Sequence, residues 1–100
     1  MKLDVGVFYF KEWPCEIYMK RYVDGNPCLQ LTHATESYPV ATATTNIAGF
    51  KVPDGYILIK DWSENEGMLE CLTKAGVIEP TGEKVSTGFV QAHVAKLLIK

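Results

Sequence analysis

Apolar and polar positions alternate with a period of two along the first sixty residues, and the period then lengthens to that of a helix. Val5, Val7 and Tyr9 interleave with Gly6, Phe8 and Phe10, which predicts a strand apolar on both faces and closed by Trp13-Pro14. From Glu16 to Val23, residues Ile17, Met19, Arg21 and Val23 share one face, and Glu16, Tyr18, Lys20 and Tyr22 share the other. Asp24-Gly25-Asn26-Pro27 is a dense turn signal, because Gly and Asn tolerate positive φ and Pro presets its own. Cys28 to His33 then reads as the returning strand of a hairpin, with Leu29 and Leu31 on its apolar face.

A second turn is predicted around Glu36-Ser37-Tyr38-Pro39. Val40 to Ile47 alternates and is rich in β-branched residues, which suits a third meander strand. Ala41 and Ala43 are small, so a bulky element is expected to cover that face. Gly49 ends the run, Pro53-Asp54-Gly55 makes another turn, and Tyr56 to Lys60 reads as a short buried strand.

Ser63-Glu64-Asn65-Glu66 has the spacing of a capping box, in which Ser63 and Glu66 satisfy each other's amides. Glu64 and Glu66 also suit the positive end of a helix dipole. Met68, Leu69, Leu72 and Ala75 recur at helical spacing, and Gly76 is a natural stop. These signals predict a helix over 64–75, with Val77-Ile78 leading back to the sheet. Past Thr81-Gly82, which reads as a turn, periodicity leaves two readings open. A helix would align Phe89, Val90, His93, Val94, Leu97 and Leu98; a strand would alternate Val90, Ala92 and Val94 against Gln91, His93 and Ala95.

The fold class expected is α+β: residues 1–100 as a single domain, with an antiparallel, meander-like sheet of about five or six strands. The 64–75 helix is expected to pack on one face. An apolar fraction of 47% and a charged fraction of 22% exclude a disordered chain. A net charge of −2 provides no basic field for nucleic acid. Apolar runs are too short to span a bilayer. Lys2 before apolar residues begins like a signal peptide, but Asp4, Lys11 and Glu12 interrupt it and favour a strand. Three cysteines without a CxxC pair favour small buried hydrophobes in a reducing, cytoplasmic setting.

The run from Ile59 to Ile78, which contains KDWSENEGMLE, resembles a family of short bacterial proteins when taken with Gly88-Phe89-Val90. The family has no assigned function and occurs on phage or plasmid-type elements. The likeness spans roughly residues 40–98 and is sharpest across Lys60 to Gly67. It implies a strand rather than a helix over 84–97, and a mobile-element context. It carries over no functional residues.

Candidate chemistry is sparse. Asp54, Asp61, Glu64, Glu66 and Glu70 form an acidic stretch, but capping accounts for two of them and Glu70 precedes Lys74 by one helical turn. His33 and His93 have no sequence relationship that joins them to a cysteine as base and nucleophile, or as a zinc set. Tyr18 and Tyr22 beside Lys20 and Arg21 suggest a stacking platform for single strands, but Glu16 and Asp24 flank them. No catalytic, cofactor or metal site is therefore expected, and the chain is not expected to be an enzyme.

Gly67 inside a predicted helix costs up to about 1 kcal/mol relative to Ala. Close packing on the sheet would explain it. The other explanation is a partner-contact surface formed by Trp62, Asn65 and Gly67, since Trp is a favoured interface anchor. The function expected is a small non-enzymatic interaction protein with a protein partner, no nucleic acid and no membrane, existing as a monomer or an edge-strand homodimer. A small-molecule pocket between the Ala41/Ala43 face and the helix is the second reading.

Overall fold

The computed structural model describes residues 1–99. Its strands are β1 (Phe8–Phe10), β2 (Trp13–Arg21), β3 (Pro27–His33), β4 (Pro39–Thr42), β5 (Tyr56–Ile59), β6 (Ile78–Thr87) and β7 (Val90–Leu97). One α-helix, α1 (Met68–Lys74), follows a 3-10 turn at Ser63–Asn65. The α+β class holds. The single sheet does not: the strands form two antiparallel sheets, in the orders β1-β2-β3-β4 and β5-β7-β6.

The chain itself joins the two sheets just past β4. Ala43 N donates to Leu29 O at 2.8 Å on one side, and its carbonyl accepts from Lys60 N at 2.9 Å on the other. Thr45 N donates to Leu58 O, and Thr44 bridges Ile59. The strand expected over Val40 to Ile47 therefore serves both sheets in succession, as strands do at the corners of packed sheets. The neighbour order becomes β1-β2-β3-β4-β5-β7-β6. Helix α1 packs against β6 and β1, and the Cys71 thiol donates to Tyr9 O at 3.2 Å. The helix thus bridges the outer strands of the two sheets, with Met68 and Leu72 turned into the core.

The predicted hairpin is present, with Ile17 opposite Leu31 and Met19 opposite Leu29. Its turn is tied to the 46–52 loop through Asn26. The Asn26 Nδ2 donates to Asn46 Oδ1 and to Phe50 O, each at 2.8 Å, and Val52 N donates to Asn26 Oδ1 at 3.1 Å. Residues of both sheets and α1 meet in one core that includes Ile17, Leu31, Ala43, Ile59, Met68 and Leu72. Leu58 faces the opposite way, into a smaller cluster with Val52 and Ala92. This second layer is why Tyr56 to Ile59 reads as continuously apolar.

The predicted 64–75 helix is broken. Glu66 has φ −54° and ψ 128°, so the 3-10 turn ends there. Ser63 sits at φ +58° and makes no capping bond, which overturns the capping box. The residue preceding α1 is Gly67, at φ +93°. A Cβ at Gly67 would meet nothing within 4 Å, so close packing does not explain the glycine. Its left-handed backbone does, because side chains strain that region. Gly67 N donates to Asp61 Oδ1 at 2.7 Å, and the turn so held aims Met68 and Leu72 into the core.

The last third forms a hairpin. Residues after Gly88 are a strand as expected, whereas Lys84 to Thr87 belong to the preceding strand. Gly88 at φ +70° opens the two-residue turn. Thr81-Gly82 is a bulge inside β6 rather than a turn between elements.

Candidate functional site

At the end of β5 the chain leaves the sheet through Lys60, Asp61 and Trp62. Trp62 has extended backbone (φ −145°, ψ 166°) and packs, half-buried, against the cluster of Val52, Leu58 and Ala92. The Lys60 ammonium stands 6.0 Å from the centroid of its ring. It also binds Glu64 Oε2 at 2.7 Å, and this contact, foremost, holds the Glu64 carboxyl down at about 2. Lys11 Nζ donates to Glu64 O at 2.9 Å, tying the β1–β2 turn to the same corner.

Facing Trp62 is the tip of the β6–β7 hairpin. Phe89 is the second residue of its turn and is 108% exposed, so its whole ring stands in solvent. Between the two aromatics lies an open groove of about 510 Å³, with Asp61, Lys84, Gln91 and His93 also on its walls. Lys84 and His93 are cross-strand neighbours on β6 and β7. The groove thus offers two aromatic surfaces, one cation, one carboxylate and neutral hydrogen-bonding groups. That set suits recognition of a mixed apolar and polar surface.

The three residues expected to form one contact surface are separated. Trp62 is on the groove. Asn65 is fully buried, and its Nδ2 donates to Thr42 O at 2.7 Å, while its Oδ1 is enclosed without a protein partner. It is a strut between the 3-10 turn and β4 and presents no surface to a partner. Gly67 is exposed, but its backbone conformation accounts for it. A Gly67→Leu change would strain the fold before it reported on any partner. Phe89 is the residue that sequence reasoning missed. The available signal was a bulky aromatic directly after a turn glycine, where hairpin tips are ordinarily polar.

The other candidates have structural surroundings. His33 Nδ1 accepts from Glu36 N at 3.1 Å and Thr35 N at 3.3 Å, and its ring lies 4.8 Å from that of Tyr38. It organises the β3–β4 loop. Cys15 and Cys28 are buried and Cys71 is half-buried, all as free thiols. Burial pushes the Cys15 and Cys71 thiols up, away from the thiolate that a nucleophile needs. Ala43 is enclosed in the core with Met68 and Leu72, so side chains fill the space where a pocket beside α1 was expected. Among the described residues no three His, Cys, Asp or Glu side chains are grouped to hold a metal ion. No helix among them is long and apolar enough to cross a membrane.

No family model, curated protein or solved structure matches the chain.

Proposed function

We propose that this chain is a small, non-enzymatic interaction protein whose protein partner seats on the groove between Trp62 and Phe89. The observation that carries this reading is the fully exposed Phe89 ring, held on a two-residue turn opposite a second aromatic. A large apolar side chain left wholly in water has no role in the fold's own stability, and aromatic anchors dominate interface energetics. The buried, free thiols support a reducing cytosolic setting. The resemblance of the segment around Lys60 to Gly67 supports an accessory role on a mobile element.

The chain acts as a monomer on this reading. Helix α1 covers the outer side of β1 through Cys71 and Tyr9. The edge strand β6 carries Pro80 and a bulge, both of which oppose strand addition. Light scattering is expected to return the mass of one chain.

Panning a random peptide library against the wild-type chain, with Phe89→Ser as the counter-selection, tests the interaction. Peptides that bind wild type and lose binding on Phe89→Ser are expected. Binding insensitive to both Phe89→Ser and Trp62→Ala would remove the groove as the contact surface.

A further inference from the structure

We infer that the partner of the Trp62–Phe89 groove binds as an extended segment added to the open edge of β6 at Lys84–Thr87, an inference that rests on the groove being the contact surface. β6 is an outer strand of its sheet, in the order β5-β7-β6. Helix α1 lies beside its start, where Leu69 and Thr73 share a recess with Pro80. At its other end Lys84 and Ser86 are exposed. Pro80 and the bulge oppose pairing along the first part of β6, but both precede Lys84. From Lys84 to Thr87 the register with β7 is regular.

The direction of hydrogen bonding along β7 identifies the backbone groups that β6 leaves over. Leu97 N donates to Gly55 O at 2.8 Å, on the β5 side, and Leu98 N donates to Val77 O at 2.9 Å, on the β6 side. Direction alternates along an antiparallel strand, so Val90 and Ala92 bond toward β6 while Gln91 and His93 turn away from it. Their cross-strand partners Thr87 and Val85 are therefore bonded to β7, and the N–H and C=O of Ser86 and Lys84 point to the open side. Such an edge is a template for a further strand. The side chains of Lys84 and Ser86 line the groove together with Phe89, so an added strand carries alternate side chains into it. Charge then sets the pattern. Lys84 has no ion-pair partner among the described residues, and Glu83 is not on the groove walls. Asp61, the carboxylate on those walls, receives Gly67 N at 2.7 Å. The segment that fits places an acidic side chain beside Lys84 and an apolar one further along, toward Phe89.

Amide exchange and peptide panning on the full chain provide the test. In the free chain the Lys84 and Ser86 amides are expected to exchange faster than those of Val85 and Thr87, and a bound peptide should protect them. Equal protection of these amides in the free chain would overturn the open edge. Ser86→Pro removes one outward amide and no bond to β7, a change that edge strands accept, so circular dichroism should show it folded. Library peptides selected on wild type should bind Ser86→Pro about tenfold more weakly, the scale of a lost hydrogen bond. Lys84→Glu should remove their acidic preference. N-methylation of alternate peptide amides should abolish binding, and this holds whether or not Ser86→Pro folds. A library that yields no peptide sensitive to Ser86→Pro or to N-methylation overturns strand addition, while peptides that still need Phe89 leave the groove as the contact surface. A doubled mass by light scattering without peptide would assign the edge to a second copy and overturn the inference.

Discussion

The side-chain amide of Asn65 donates to the backbone carbonyl of Thr42 at 2.7 Å, across 23 residues of chain. This bond fastens the 3-10 turn to the segment that passes from one sheet to the other. Asn65→Ala should cost about 1–3 kcal/mol, since it leaves a buried carbonyl without its donor. Asn65→Asp should cost more, because it sets a carboxylate oxygen against that carbonyl. Urea unfolding monitored by circular dichroism measures both; an unchanged midpoint in Asn65→Asp would refute the strut.

Glu64 titrates at about 2, held down first by its hydrogen bond from Lys60. A depressed carboxyl favours the folded state above its ordinary value of 4.5 and loses that contribution as pH falls through about 2. Lys60→Gln should return the Glu64 titration toward 4.5. Carboxyl-carbon chemical shifts followed from pH 6 downward would show the change, and Trp62 fluorescence should respond as its neighbouring cation is removed.

Tyr22 is pushed up to about 12, mainly by burial, with its hydroxyl donating to Thr44 O at 3.2 Å. The raised value means that the neutral phenol stabilises the fold. That contribution is complete below pH 10 and lost as pH rises through about 12. Ultraviolet titration should show a late tyrosine ionisation, and Tyr22→Phe should abolish that late step.

Gly67 and Asp61 act together at the entrance to α1. Gly67→Ala meets no steric obstacle but must hold φ at +93°, and it should lose about 1–2 kcal/mol. Asp61→Ala removes the oxygen that receives Gly67 N and should lose about 1 kcal/mol, as a lost helix cap does. Thermal melts of the two variants and the double mutant would show less than additive loss, because the residues share one turn.

Phe89→Ser should leave the unfolding midpoint within about 0.5 kcal/mol of wild type, as fully exposed substitutions do. The same change should eliminate binding of groove-selected peptides. A large loss of stability would instead assign the ring to the fold.

The hairpin of β2 and β3 was legible because alternation on both sides of Asp24-Gly25-Asn26-Pro27 admits one register that buries Ile17, Leu29 and Leu31 together. The helix near Met68 and Leu72 was legible for the same reason at a different period. Its start was not. Ser63 and Glu66 have capping spacing, but the turn that Asp61 imposes on Gly67 outweighs it. Of the candidate site, Trp62 was legible in the sequence; Phe89 had only the weak signal of Gly88 before it, because its exposure depends on where a turn falls between two strands that a single periodic stretch conceals.

The sequence by itself determined the α+β class, the turns at 24–27, 36–39 and 53–55, and the apolar faces of the β2–β3 hairpin and of the helix. Those follow from local backbone preference and from the alternation of side chains along a single strand. Tertiary structure decided that Ala43 to Thr45 would leave β3 for β5, that Asn65 would be buried, and that a groove would open between Trp62 and Phe89. A strand's pattern shows which side chains seek the core, but hydrogen bonding to either neighbour satisfies its backbone equally well. The choice of neighbour is made only when the whole core packs.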